Sequence, residues 1–69
     1  MARKIWSRPG NPTNAVATAL RVTRPDLRYA IHRIKKNARL GPSDDVTIWD
    51  DGSVTDDKDV WLGNIYDEI

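Results

Sequence analysis

The one histidine of this chain, His32, sits among cations. Arg28 lies four residues before it, Lys36 four after and Lys35 three after. With Leu27 at zero and a step of about 100° per residue, Leu27, Ala30, Ile31, Ile34 and Ala38 span about 300° through zero to about 40°. Lys35, Arg28, Arg39, His32 and Lys36 fall between about 80° and about 180° on the same wheel. A helix here would bury an oily stripe and hold five basic or titratable side chains beside it. Like charges disfavour protonation of an imidazole, and a neutral imidazole is a competent general base. Guanidinium and ammonium groups beside it can hold a phosphodiester and stabilise its developing charge.

These parts suit metal-independent cleavage of RNA, whose 2′-hydroxyl is an internal nucleophile. The expected catalytic residues are His32, Lys35 and Arg28. Arg33, Lys36 and Arg39, with Arg8 and Lys4 from the N-terminal arm, are expected to bind nucleic acid. One histidine cannot be base and acid at once, so Tyr29, Tyr66 or an Asp/Glu must supply the second proton transfer. The alternative is a non-enzymatic nucleic-acid-binding module of the phage or toxin–antitoxin regulator type. A third possibility is an adaptor whose charged halves dock separate partners.

The elements that must position these residues follow from charge and punctuation. The net charge of +1 hides two halves. Residues 1–40 carry ten Lys/Arg against Asp26, or +9; residues 41–69 carry nine acids against Lys58, or −8. Such segregation suggests a field aimed at partners, unless the halves fold together and neutralise. Residues 1–10 read as an irregular basic arm, with Trp6 pinned to the core and Pro9-Gly10 as a turn. Residues 11–40 form the helical basic half. Asn11-Pro12 caps a short first helix, which Arg24 ends by preceding Pro25. A second helix runs from Pro25/Asp26 to Leu40, with Gly41 as its left-handed stop.

Residues 44–69 form the acidic β half. Val46–Trp49 alternates as a strand, Asp51-Gly52 turns it, and Ser53–Thr55 returns. Val60–Tyr66 is the third strand, with Gly63 as a bulge. Trp49 and Trp61 are expected to fill the core, the alternative being an aromatic platform for bases. The expected fold class is therefore α+β in one domain, 1–69: two N-terminal helices followed by a three-stranded antiparallel β-meander.

Composition excludes other classes. At 69 residues the chain has a thin core and no cysteine, so disulfides and thiolate metal sites are impossible, and one histidine rules out multi-histidine sites. No cofactor or metal is expected. The Asp-rich turns lack the oxygen-ligand spacing of an EF-hand loop. No apolar run approaches a membrane span or a signal peptide, so no membrane partner is expected.

One further pattern crosses both halves: Ala30-Ile31-His32-Arg33-Ile34-Lys35-Lys36, then Leu40-Gly41-Pro42-Ser43-Asp44-Asp45-Val46, Asp51-Gly52-Ser53-Val54 and Trp61-Leu62-Gly63-Asn64-Ile65-Tyr66-Asp67. Over residues 27–67 this resembles the C-terminal toxin domains of bacterial polymorphic toxins of the Rhs and contact-dependent inhibition type. More loosely, the meander resembles the small ribonuclease domains of some colicins. The first resemblance implies a nuclease, often a ribonuclease acting on tRNA or rRNA in the bacterial cytoplasm. It also implies export as the tail of a larger secreted protein and restraint by a cognate immunity protein. Of its motif residues, His32 and Lys35 are the candidate functional positions. The acids and histidines differ from those of the colicin enzymes, so their mechanism does not transfer. A monomer is expected, either an excised domain or a freestanding small protein.

Overall fold

A computed structural model describes residues 2–8 and 14–69. The protein is α+β, but the expected order of two helices and three strands does not hold. A four-stranded antiparallel sheet in the order β1-β2-β3-β4 is built from β1 (Lys4–Arg8), β2 (Val46–Trp49), β3 (Ser53–Thr55) and β4 (Trp61–Asn64). Helices α1 (Asn14–Leu20) and α2 (Arg24–Asn37) lie between β1 and β2 in sequence, and the short helix α3 (Ile65–Glu68) follows β4.

The extra strand is the basic arm. Trp6 pairs with Ile48, Ser7 with Thr47 and Arg8 with Val46, and a bulge at Ile5 separates these from the Lys4–Trp49 pair. The bulge lets Trp6 turn its indole into the core, where it is buried beside Ile48. The proposed Pro9-Gly10 turn and the Asn11-Pro12 cap lie outside the described residues.

Helix α1 buries Val16, Ala17 and Leu20. It ends on Arg21 in the left-handed conformation (φ 58), with Val22 N–H donating to the Ala17 carbonyl and Arg21 N–H to that of Thr18. Helix α2 starts one residue before Pro25. Thr23 is its N-cap and accepts the Asp26 N–H at 3.2 Å, so Arg24 opens α2 rather than closing α1. Its end repeats the device of α1. Arg39 is left-handed (φ 61), with Leu40 N–H on the Lys35 carbonyl and Arg39 N–H on that of Lys36. Gly41 is therefore not the stop. Its N–H donates to Asp44 Oδ2 at 2.7 Å in the junction that follows.

The β2–β3 hairpin has a three-residue loop, Asp50-Asp51-Gly52. Gly52 N–H donates to the Trp49 carbonyl, and Gly52 itself has φ 90. A Cβ there would also stand 2.7 Å from Tyr66 Cδ2, so glycine is required twice over. The Ser53 backbone and hydroxyl bond the Asp51 carboxylate and hold it below the usual range.

The third expected strand stops at Asn64. The Asn64 side chain caps α3 by accepting the Tyr66 N–H at 2.9 Å, and Ile65 drops into the core. The bulge in β4 falls at Leu62, between the Val54–Gly63 and Thr55–Trp61 pairs. Gly63 instead permits close approach of α2, since a Cβ there would lie 3.1 Å from Ile34 Cγ1.

The core joins Leu27 and Ile34 of α2, Leu20 of α1, Ile48 and Val54 of the sheet and Ile65 of α3. Neither Trp49 nor Trp61 belongs to it. Cross-strand pairing puts Lys4, Ser7, Thr47, Trp49 and Thr55 on the outer sheet face. Trp49 Nε1 donates to Thr55 Oγ1 at 3.0 Å, and Trp61 is 62% exposed. The strands alternate, and the inward positions were already taken by Ile48, Val54 and Gly63.

Candidate nucleic-acid interface

Helix α2 positions the site. Its apolar stripe, Leu27, Ala30, Ile31 and Ile34, is buried, which fixes the rotation of the helix. That rotation turns Arg24, Arg28, His32 and Lys36, each four residues from the next, into one exposed row. The row covers ~18 Å at 1.5 Å per residue. Arg24, Pro25, Arg28, Tyr29 and His32 line an open groove of about 570 Å³. Tyr29 is 53% exposed there. His32 also borders a smaller depression of about 160 Å³ with Lys35, Lys36, Leu40 and Pro42. The two depressions thus meet at His32.

The cations of the row have no acidic partners among the described residues. The one ion pair found there joins Arg33 Nε to Glu68 Oε1 of α3 at 3.6 Å. No carboxylate lines the larger groove.

Of the expected catalytic residues, Arg28 and His32 share the groove and Lys35 does not. Lys35 is 5% exposed, and its Nζ donates to the Pro42 carbonyl at 2.8 Å. Its wheel position, about 80°, borders the apolar stripe, so its alkyl stem lies along the core and its amine reaches out to the 40–45 junction. Burial lowers the pKa of this amine, and the fields of Asp44 and Asp45 oppose that shift. Lys35 therefore fastens the junction to α2.

Of the expected binding residues, Lys36 extends the row and Arg39 is exposed at the end of α2. Arg33 projects toward α3. Lys4 stands over the Trp49 ring at 5.7 Å on the outer sheet face, and Arg8 closes β1 opposite Val46. Arg33 and Lys4 are not among the described residues that line the groove. The sequence expectation that Arg24 ends α1 leaves it out of the site, where the structure adds it. The four-residue spacing Arg24-Arg28-His32-Lys36 was the signal that could have placed it.

The candidates for the second proton transfer also separate. The Tyr66 hydroxyl donates to the Leu20 carbonyl at 2.7 Å. Tyr29 alone of the named tyrosines shares the groove with His32.

The acidic half makes turns. Asp56 Oδ1 accepts the Lys58 and Val60 N–H groups at 2.8 and 2.9 Å, and Asp44 accepts that of Gly41. With Leu40, Asp45 and Asp57 they line a depression of about 440 Å³. Among the described residues no three His, Asp or Glu side chains are grouped to hold a metal. No helix among the described residues is long and apolar enough to cross a membrane. No family model matches the chain, nor does any curated protein or solved structure.

Proposed function

We propose that this chain binds RNA along the outer face of α2 and cleaves it without a metal ion, as a small toxin domain. The observation that carries the proposal is the groove itself: Arg24, Arg28, Tyr29 and His32 line it together, with no hydrogen-bond or ion-pair partner among the described residues. Cations left without acids at the surface attract a polyanion. Arg24 and Arg28 hold the phosphodiester. His32 takes the proton of the ribose 2′-hydroxyl, and the 2′-oxygen attacks phosphorus. The P–O5′ bond breaks, leaving a 2′,3′-cyclic phosphate, and the departing 5′-oxygen takes a proton from the Tyr29 hydroxyl. Proton return from His32 through water restores the starting state. The toxin assignment, with cytoplasmic action, export on a larger protein and a cognate immunity protein, rests on the resemblance of residues 27–67.

The test is incubation of the purified protein with total RNA in EDTA. Cyclic-phosphate ends are expected, and His32→Ala should slow their formation by about 100-fold or more while leaving the circular dichroism unchanged. Intact RNA, or equal cleavage by the variant, removes the catalytic reading. The second reading is a nucleic-acid-binding module without turnover. It is favoured by the withdrawal of Lys35 from the groove, which leaves His32 with fewer catalytic neighbours. Binding with no cleavage in the same experiment selects it.

A further inference from the structure

Along α2 the two depressions differ in size and lining. The larger holds the half-exposed phenol ring of Tyr29 together with Arg24, Arg28 and His32. The smaller has Lys36 as its exposed cation and Leu40, Pro42 and the buried Lys35 as its walls. The larger offers an exposed aromatic ring beside two arginines and the imidazole, whereas the smaller offers one exposed ammonium at its rim. From this asymmetry we infer that the site selects unpaired nucleotides: one base stacks on the Tyr29 ring in the larger depression, and the strand continues past His32 so that its next phosphate meets Lys36. The inference rests on the α2 face being the nucleic-acid surface, as proposed above, and adds the class of substrate.

The physical reason is the π-face of the base. In a duplex each base is already stacked and paired, and its face is closed to a side chain approaching from outside. A duplex lying on the cationic row would present only phosphates to the groove, and the ring of Tyr29 would be covered without an apolar partner. A single strand satisfies both features at once. Its phosphates meet Arg24, Arg28 and Lys36, and a base covers the ring. Stacking of this kind tolerates any base, so preference for unpaired strands comes without strong sequence preference.

The ring and the hydroxyl of Tyr29 then have separable tasks, and conservative substitution distinguishes them. Uncleavable probes isolate binding: a 2′-O-methyl oligouridine single strand and a 2′-O-methyl duplex of the same length, titrated into the intact chain at low salt. The single strand is expected to bind at least about five-fold tighter per strand. Tyr29→Ala should weaken the single strand roughly 5- to 100-fold and leave the duplex unchanged, while Tyr29→Phe should bind like the parent. Tyr29 is exposed, so these variants are expected to fold. Equal affinity for the two probes, equal weakening of both by Tyr29→Ala, or a Phe variant as weak as the Ala variant each overturns selection by the ring. Failure of the α2 reading looks different: the double variant Arg24→Ala/Arg28→Ala would then bind both probes like the parent.

Discussion

His32 and Lys35 stand three residues apart on one helix, yet one faces solvent and the other is pinned beneath the junction that follows α2. That difference has consequences at the scale of single side chains. Lys35→Met keeps the stem and removes the amine, so RNA affinity is expected to change less than about two-fold, while Arg28→Ala weakens it several-fold. A direct binding titration of both variants checks this; equal losses would return Lys35 to the site. Lys35 should also mark the pH dependence of stability. Its folded pKa is lowered by burial from 10.5, so in the window below 10.5 the unfolded chain holds a proton that the folded chain has released. Stability attributable to this group therefore rises with pH across that window, and the cost of the buried charge is fully felt below it. Denaturant midpoints of parent and Lys35→Met, measured from neutral to alkaline pH, should diverge by this rise; parallel curves would show that the amine does not titrate on folding. The groove residues Arg28 and His32 were legible because side chains four apart on a helix share a face. Lys35 is not placed by spacing alone, because a long side chain at the border of an apolar stripe can point either way, and the Pro42 carbonyl decides it.

At the scale of elements, α2 was legible for local reasons: an apolar stripe, an acid in the first turn and cations in the last. Strand β1 was not, because Ser7 meets Thr47 forty residues away, and nothing near the arm signals that partner. Helix α3 was hidden because Ile65 and Tyr66 continue a plausible strand, and the Asn64 cap competes with it. The helix ends hold the most instructive detail. Both α1 and α2 close on an arginine in the left-handed conformation, a place glycine usually takes. Arg39→Gly is expected to relieve about 1 kcal/mol of backbone strain and raise the thermal midpoint. It should at the same time weaken RNA binding by removing a cation beside the row. A variant that gains stability and loses no affinity would show that Arg39 serves only the helix end. Gly52→Ala should act oppositely, costing about 1 to 3 kcal/mol, because it adds a Cβ at φ 90 against Tyr66. Thermal or denaturant unfolding checks it, and an unchanged midpoint would contradict the close packing of α3 on the hairpin.

Across the whole molecule, charge is sorted rather than cancelled. A basic half of +9 and an acidic half of −8 share one core, yet one ion pair, Arg33–Glu68, is found between them among the described residues. Asp44, Asp51 and Asp56 accept N–H groups of their own turns, and the row on α2 is left facing water. Carboxylates around the hairpin loops would turn a polyanion away from that end and toward the helix. If Arg24, Arg28 and Lys36 each displace a counterion, the logarithm of the single-strand binding constant should fall with the logarithm of salt with a slope of about −2. The most direct measurement is therefore a salt titration of fluorescently labelled single-stranded RNA binding, made on the parent and on Arg24→Ala/Arg28→Ala. The parent is expected to show that slope, and the double variant to bind at least about ten-fold more weakly at low salt with a slope nearer −1. A double variant with the parent's affinity and slope would contradict the assignment of α2 as the nucleic-acid face.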